Sequence, residues 1–250
     1  MAWPVLSASA GGTHTVMIST RLCVGLALVS LSLAACHSSG PLHVVVDPTL
    51  QAGDVYEVSG LVNRHWGKPV SFGGFATRET RAGETWAWSA GSFDLGVGKR
   101  HQPYRFVFVG EEGAQWQVEC RAKTPILRHA GKHSEWELPI GETELGCAMR
   151  DENEVVHALS VNGNGADFAG VTDFGDEPFE IQALHELPRR DGRSVHIPGV
   201  LGWELRQEGR VLASVDLLGA GRVYLSREAT AEQRDRLAMT ATALMLFGER

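Results

Sequence analysis

Leu237-Ala238-Met239-Thr240-Ala241-Thr242-Ala243-Leu244-Met245-Leu246-Phe247 decides the fold, because it has the composition of a helix and no polar face. Alanine, leucine and methionine are strong helix formers, and nothing in this run breaks a helix. A surface helix keeps a polar side, whereas this one is apolar all round apart from two threonines, so it must be surrounded. A helix is expected over about 231–247, with Thr230 as its cap, Gln233 completing a capping box and Gly248 as its stop. It is too short to cross a bilayer, which takes about 20 residues, so the rest of the chain has to enclose it.

What precedes the helix reads as strand. Apolar and polar residues alternate with period two, broken by Gly, Asn and Pro turns at roughly 8–12-residue spacing, the pattern of an antiparallel β-protein. Strands are expected at Asp54–Leu61, Val70–Ala76, Glu84–Ser89, Tyr104–Val109, Gln115–Arg121 and Ser134–Leu138. A second series runs through Thr143–Met149, Glu154–Val161, Asp167–Thr172, Phe179–His185, Ser194–Ile197, Gly202–Gln207, Val211–Leu217 and Arg222–Leu225. His37 to Pro48, with Val44-Val45-Val46 near its end, reads as a tether leading into the first strand. Arg206-Gln207-Glu208-Gly209-Arg210 and Leu218-Gly219-Ala220-Gly221 mark two hairpins by their glycines. The fold class is mainly β: an antiparallel barrel or sandwich with one apolar C-terminal helix packed in or against it. Residues 49–250 read as a single β-rich domain.

Trp203-Glu204-Leu205-Arg206, Val211–Asp216, Arg222–Leu225 and the closing helix together resemble the tubby-like and phospholipid-scramblase-like fold. In that fold a many-stranded antiparallel barrel is threaded by a hydrophobic C-terminal helix. The resemblance covers about the final fifth of the chain and implies a barrel, with a helix-capped sandwich as the competing architecture. Its members are associated with phosphoinositide or phospholipid binding. The sequence shows no basic cluster that would receive a phosphorylated headgroup.

The other end carries Leu33-Ala34-Ala35-Cys36 behind an apolar run from Leu22 to Leu33, with Arg21 ahead of it. This resembles the signal peptide and lipobox of a bacterial lipoprotein. The resemblance implies a signal peptide over 1–35 with Met17 as the true start. It further implies Cys36 as the lipidated residue, carrying a diacylglycerol and an acyl group such as palmitate, and an anchor and tether over 36–48. The apolar run is too short to be a membrane span. His37, where an aspartate would favour the inner membrane, implies the periplasmic side of the outer membrane.

Charge narrows the partners. The chain has 30 Asp and Glu against 23 Lys and Arg, a net charge of −7, which disfavours nucleic acid and anionic membrane surfaces by bulk electrostatics. Once Cys23 has left with the signal and Cys36 carries lipid, Cys120 and Cys147 remain as a natural disulfide in an oxidising compartment.

Catalytic signatures fail on inspection. His185-Glu186 begins a zinc motif that Arg189 breaks, and Gly131 and Pro125 place His129 and His133 in a loop. Ser194 and His196 share a strand face with no acid beside them, and no nucleophile elbow occurs. No catalytic residue, metal or cofactor is therefore assigned. Trp86 and Trp88 stand two apart and so share one strand face, with Trp66, Trp116 and Trp136 in the same half. Core packing is the first reading, and a stacking platform for a sugar or an apolar ligand is the second. The leading function is a membrane-tethered periplasmic lipoprotein with a non-enzymatic binding or envelope-interaction role, its envelope protein or ligand partner unspecified. The alternatives are an envelope enzyme acting on cell-wall or glycan material, with Glu135, Glu137 or Asp173 as acid and base, and a lipid-binding tubby-like module.

Overall fold

The computed structural model describes residues 42–61, 68–92, 95–131, 134–165, 167–175, 178–189 and 191–248. The signal segment, Cys36, Trp66 and His133 lie outside them. The first half of the chain forms a short helix α1 (Pro48–Gln51) and strands β1 (Asp54–Glu57), β2 (Ser71–Phe72), β3 (Phe75–Ala82), β4 (Trp86–Ser92), β5 (Leu95–Val109), β6 (Gln115–Ala130), β7 (Glu135–Pro139) and β8 (Thr143–Arg150). The second half forms β9 (Val156–Asn164), β10 (Asp167–Asp173), β11 (Phe179–Leu184), β12 (Glu186–Pro188), β13 (Ser194–His196), β14 (Gly202–Gln207), β15 (Arg210–Asp216), β16 (Arg222–Leu225) and helix α2 (Ala231–Gly248).

Twelve strands follow one another in the order β1-β16-β15-β14-β11-β10-β9-β8-β6-β5-β3-β2, every pair antiparallel. The two ends of this path meet at a bridge between Ser59 and Ser71, whose backbones exchange hydrogen bonds of 2.8 and 3.0 Å. The sheet is therefore a nearly closed barrel, and the sandwich is set aside. Closure removes the free edges that an open sheet of this size would expose.

Helix α2 fills the lumen. Leu237, Met239, Ala241, Ala243, Leu244, Met245 and Leu246 are all fully buried, against a wall that includes Phe75, Phe108, Met149, Phe179, Trp203 and Leu205. The two threonines need no polar surroundings, because each hydroxyl donates to the carbonyl one turn back: Thr240 to Arg236 (2.9 Å) and Thr242 to Ala238 (2.8 Å). Tyr104 donates its hydroxyl from the wall to the Ala243 carbonyl at 2.8 Å. The capping box forms as expected, with Thr230 N–H on Gln233 Oε1 (3.1 Å) and Gln233 N–H on Thr230 Oγ1 (3.2 Å).

The first turns of α2 tie the helix to the wall through charge. Arg234 donates to Asp54 (3.0 Å) and to the Tyr56 hydroxyl (2.8 Å), while Asp235 accepts from the Glu111 backbone N–H (3.0 Å). Burial pushes the Asp235 carboxyl above the ordinary aspartate value, and the charges of Glu111 and Glu112 push the same way. A carboxyl raised in the folded state holds its proton more tightly there than in the unfolded chain. It therefore removes stability as pH climbs from the unfolded value, near 4, through the folded one. Asp235→Asn is expected to raise Tm at pH 7 and to lose that gain below about pH 4. The same Tm difference at both pH values would contradict this account.

In the tether, Val45 N–H donates to the Glu186 carbonyl (3.1 Å), and Val44 and Val46 are buried against Leu50 and Tyr224. Two expectations need correction. Val70–Ala76 is a tight hairpin, because Gly73 at φ 55° turns β2 back on β3. His129 lies in β6 rather than in a loop, since β6 continues to Ala130.

Candidate functional site: an apolar apron on one rim

β5 and β6 are 15 and 16 residues long, and their outer halves overshoot the barrel rim. There β5 leaves β3 and pairs with β4, while β6 leaves β8 and pairs with β7. The result is a four-stranded apron in the order β4-β5-β6-β7 that continues the barrel wall. Pro103 and Pro125 stand where the partners change, and each still offers its carbonyl, to Gly83 N–H (2.8 Å) and Ile140 N–H (3.0 Å). A missing donor is tolerated at a change of partner.

The register fixes which side chains share a face. Trp86 stands opposite His101, Trp88 opposite Lys99, Ala90 opposite Val97 and Ser92 opposite Leu95. The same row continues through Lys123, Pro125, Leu127 and His129 on β6, then to Leu138 and Trp136 on β7. Of the fourteen large apolar side chains that stand exposed among the described residues, seven belong to this one face: Trp86, Trp88, Leu95, Val97, Trp136, Leu138 and Ile140. Scattered exposed apolar residues are ordinary, but a contiguous set on one sheet face marks an interaction surface.

Trp86 and Trp88 are 50 % and 51 % exposed, which overturns the core reading for both. Trp136 is exposed on the same face, whereas Trp116 and Trp203 are buried in the core. Trp86 lies flat on the His101 ring, centroids 4.1 Å apart and planes 10° from parallel, and Trp136 lies on His129 at 5.4 Å and 28°. Burial holds His101 below the usual histidine value, and the charges of Lys123, Arg121 and Lys99 add to this. The imidazole under Trp86 is thus neutral at pH 7.

These cations correct a second expectation, that the chain has no basic cluster. Lys99, Arg121 and Lys123 come from two strands and converge around His101, and among the described residues none of them is in an ion pair. Glu144 stands opposite Lys123 in the β6–β8 register without bridging it. Nearer the barrel the same outer face continues through Arg105, opposite both Arg81 and Glu119, beside a depression of about 490 Å³. A chain of net charge −7 has gathered a positive band at the base of its apolar apron.

The reverse face of the apron is built differently. Arg100 donates from Nε to Glu137 at 2.9 Å, and Arg128 is paired with Glu135 and lies 3.9 Å from Glu137. Gly91 and Gly96 face each other there, because a Cβ on Gly91 would stand 2.0 Å from the Leu95 carbonyl oxygen. Glu135 and Glu137 are thus held by arginines, and Asp173, at the far end of β10, accepts from Gly175 N–H (2.8 Å) within its own turn. The structure does not bring these three carboxylates into one cleft. Ser194 and His196 are exposed on β13, with Glu186 opposite His196 and the His185 ring 4.2 Å from that of His196. Among the described residues no group of three or more His, Cys, Asp or Glu is placed to hold a metal ion.

Cys120 and Cys147 are bonded, directly opposite each other on β6 and β8 with their side chains in the core. They staple the root of the apron. His43 Nδ1 lies 2.8 Å from Asp216, a fully buried carboxylate that also accepts from Leu218 N–H (2.9 Å). This fastens the start of the described chain to the end of β15.

No family model, curated protein or solved structure matches this chain. The chemistry of the apron therefore has to be read from its own geometry.

Proposed function

We propose that the chain is a lipoprotein tethered through Cys36 to the periplasmic side of the outer membrane, with a non-enzymatic binding role, and that the apron is its binding face. One observation carries the binding part of this reading: half of the exposed large apolar side chains among the described residues share a single sheet face. The Leu33–Cys36 lipobox supports the tether. The barrel wrapped around a C-terminal helix is the architecture implied by the resemblance to tubby-like and scramblase-like proteins, and it favours kinship with them. A shared architecture does not transfer an activity.

A single acyl chain gives only marginal attachment, so a stable anchor needs the two or three chains that a lipidated Cys36 carries. Membranes washed with alkaline carbonate should retain the wild-type protein and release Cys36→Ser. Mass spectrometry should show the wild-type chain starting at Cys36 with acyl mass on it. A Cys36→Ser protein that resists carbonate, or a wild-type chain free of acyl mass, would remove the anchor from this reading.

A further inference from the structure

We infer that the apron lies on the surface of an anionic phospholipid bilayer, the one that holds the Cys36 acyl chains, so that the protein is attached at two points. This rests on the lipoprotein reading above for the position of the anchor.

The side chains along the apron pass from charged to apolar in the order of depth in a membrane interface. Nearest the barrel comes Arg121; Lys123 is level with Trp86 across His101, and Lys99 is level with Trp88 one row further out. The cations reach headgroup phosphates while their stems cover apolar surface, and the two tryptophans, rings with an apolar body and a polar N–H, suit the same headgroup boundary. Beyond them lie Val97, Leu138, Leu95 and Trp136, with the chemistry of the acyl boundary.

The place where the described chain begins supports the same occupant. Asp216, which holds His43, can be followed across neighbouring strands to the apron: Asp216 opposite Gly202, Gly202 opposite Leu184, Asp167 opposite Asn164, Gly163 opposite Thr143, Glu144 opposite Lys123, and Lys123 opposite His101. Leu42 therefore leaves the barrel at the rim from which the apron projects. The six residue steps from Cys36 to Leu42 span at most about 21 Å when extended, so the anchor cannot hold that rim further than this from the bilayer. The positive band faces an anionic surface although the chain as a whole is acidic.

The test uses the protein purified from membranes and reconstituted into vesicles of phosphatidylglycerol and phosphatidylcholine, with plain or brominated acyl chains. Brominated vesicles should quench part of the tryptophan fluorescence. Trp86→Phe with Trp88→Phe and Trp136→Phe should lose most of that quenching while still floating with the vesicles. Val97→Glu with Leu138→Glu, two exposed positions whose change leaves the core intact, should lose most of it with every tryptophan kept. Wild-type protein that floats but fluoresces equally in both vesicles would overturn the inference and leave the anchor standing, with a second copy or an envelope protein as the occupant. Protein without acyl mass that neither floats nor is quenched would overturn both. Protein without acyl mass that floats and is quenched would keep the apron on the bilayer and remove only the anchor.

Discussion

Ending the chain before Ala231 is expected to abolish cooperative folding. Helix α2 contributes Leu237, Met239, Leu244, Met245 and Leu246 to the lumen, each fully buried. Cutting one such side chain back to alanine costs about 2–5 kcal/mol, and a whole domain has only about 5–15 kcal/mol to lose. Removing all five, with the alanines between them, leaves the inner faces of twelve strands without a partner. No local rearrangement fills a lumen of that size, because the wall is fixed by its own ladders. The truncated chain should lose its near-UV circular dichroism and its sharp thermal transition. Leu244→Ala alone should remain folded but unfold about 2–5 kcal/mol more easily. A truncated chain that still melts in one sharp transition would show that the wall stands without its filling.

Loss of the Cys120–Cys147 bond is the next largest effect. For cysteines 27 residues apart the loop-entropy argument gives about 3–3.5 kcal/mol. The location decides where the loss is felt. The loop closed by the bond contains the outer half of β6 and all of β7, the arm of the apron that carries Leu127, Trp136 and Leu138. Cys120→Ala with Cys147→Ala should lower the denaturation midpoint by the equivalent of about 3 kcal/mol and speed amide exchange in β7 before it speeds exchange in β14 or β15. A change below about 1 kcal/mol, or uniform exchange, would mean that the ladders alone hold the arm.

The sequence reading and the structure agree where a local rule has one physical outcome. A helix with no polar face had to be enclosed, and Leu237–Leu246 are enclosed. Glu208 and Gly209 take positive φ at the turn that Arg206–Arg210 announces. Cys120 and Cys147, expected to pair, are bonded to each other. The apron was hidden for a reason that can be named. Pro103 and Pro125, with glycines at 96 and 98, end the strand pattern at Tyr104 and short of Ala130, because a proline in a paired strand forfeits a ladder bond. Each proline sits at a change of neighbour, where the forfeit is small, and so both strands run on. The alternation of Glu135-Trp136-Glu137-Leu138 was visible, but only the pairing of β4 through β7 shows that its apolar side joins that of Trp86 and Trp88. Arg121 and Lys123 become a cluster with Lys99 for the same reason, since register brings together what the chain keeps apart.

The pairing of β1 with β16 joins residues 54–57 to residues 222–225. Contacts this distant in sequence are slow to form, because the chain between them must be ordered before they are rewarded. The barrel's first strand therefore waits for its last, and the seam at Ser59 and Ser71 shuts around a helix that follows every strand in the chain. Until then β1 offers an unpaired edge and the helix an unburied apolar surface, and both invite association with other chains. Because that helix comes after every strand, the closing step of folding is also the most exposed one, and a chain of this topology gains from being shielded until the helix is in place.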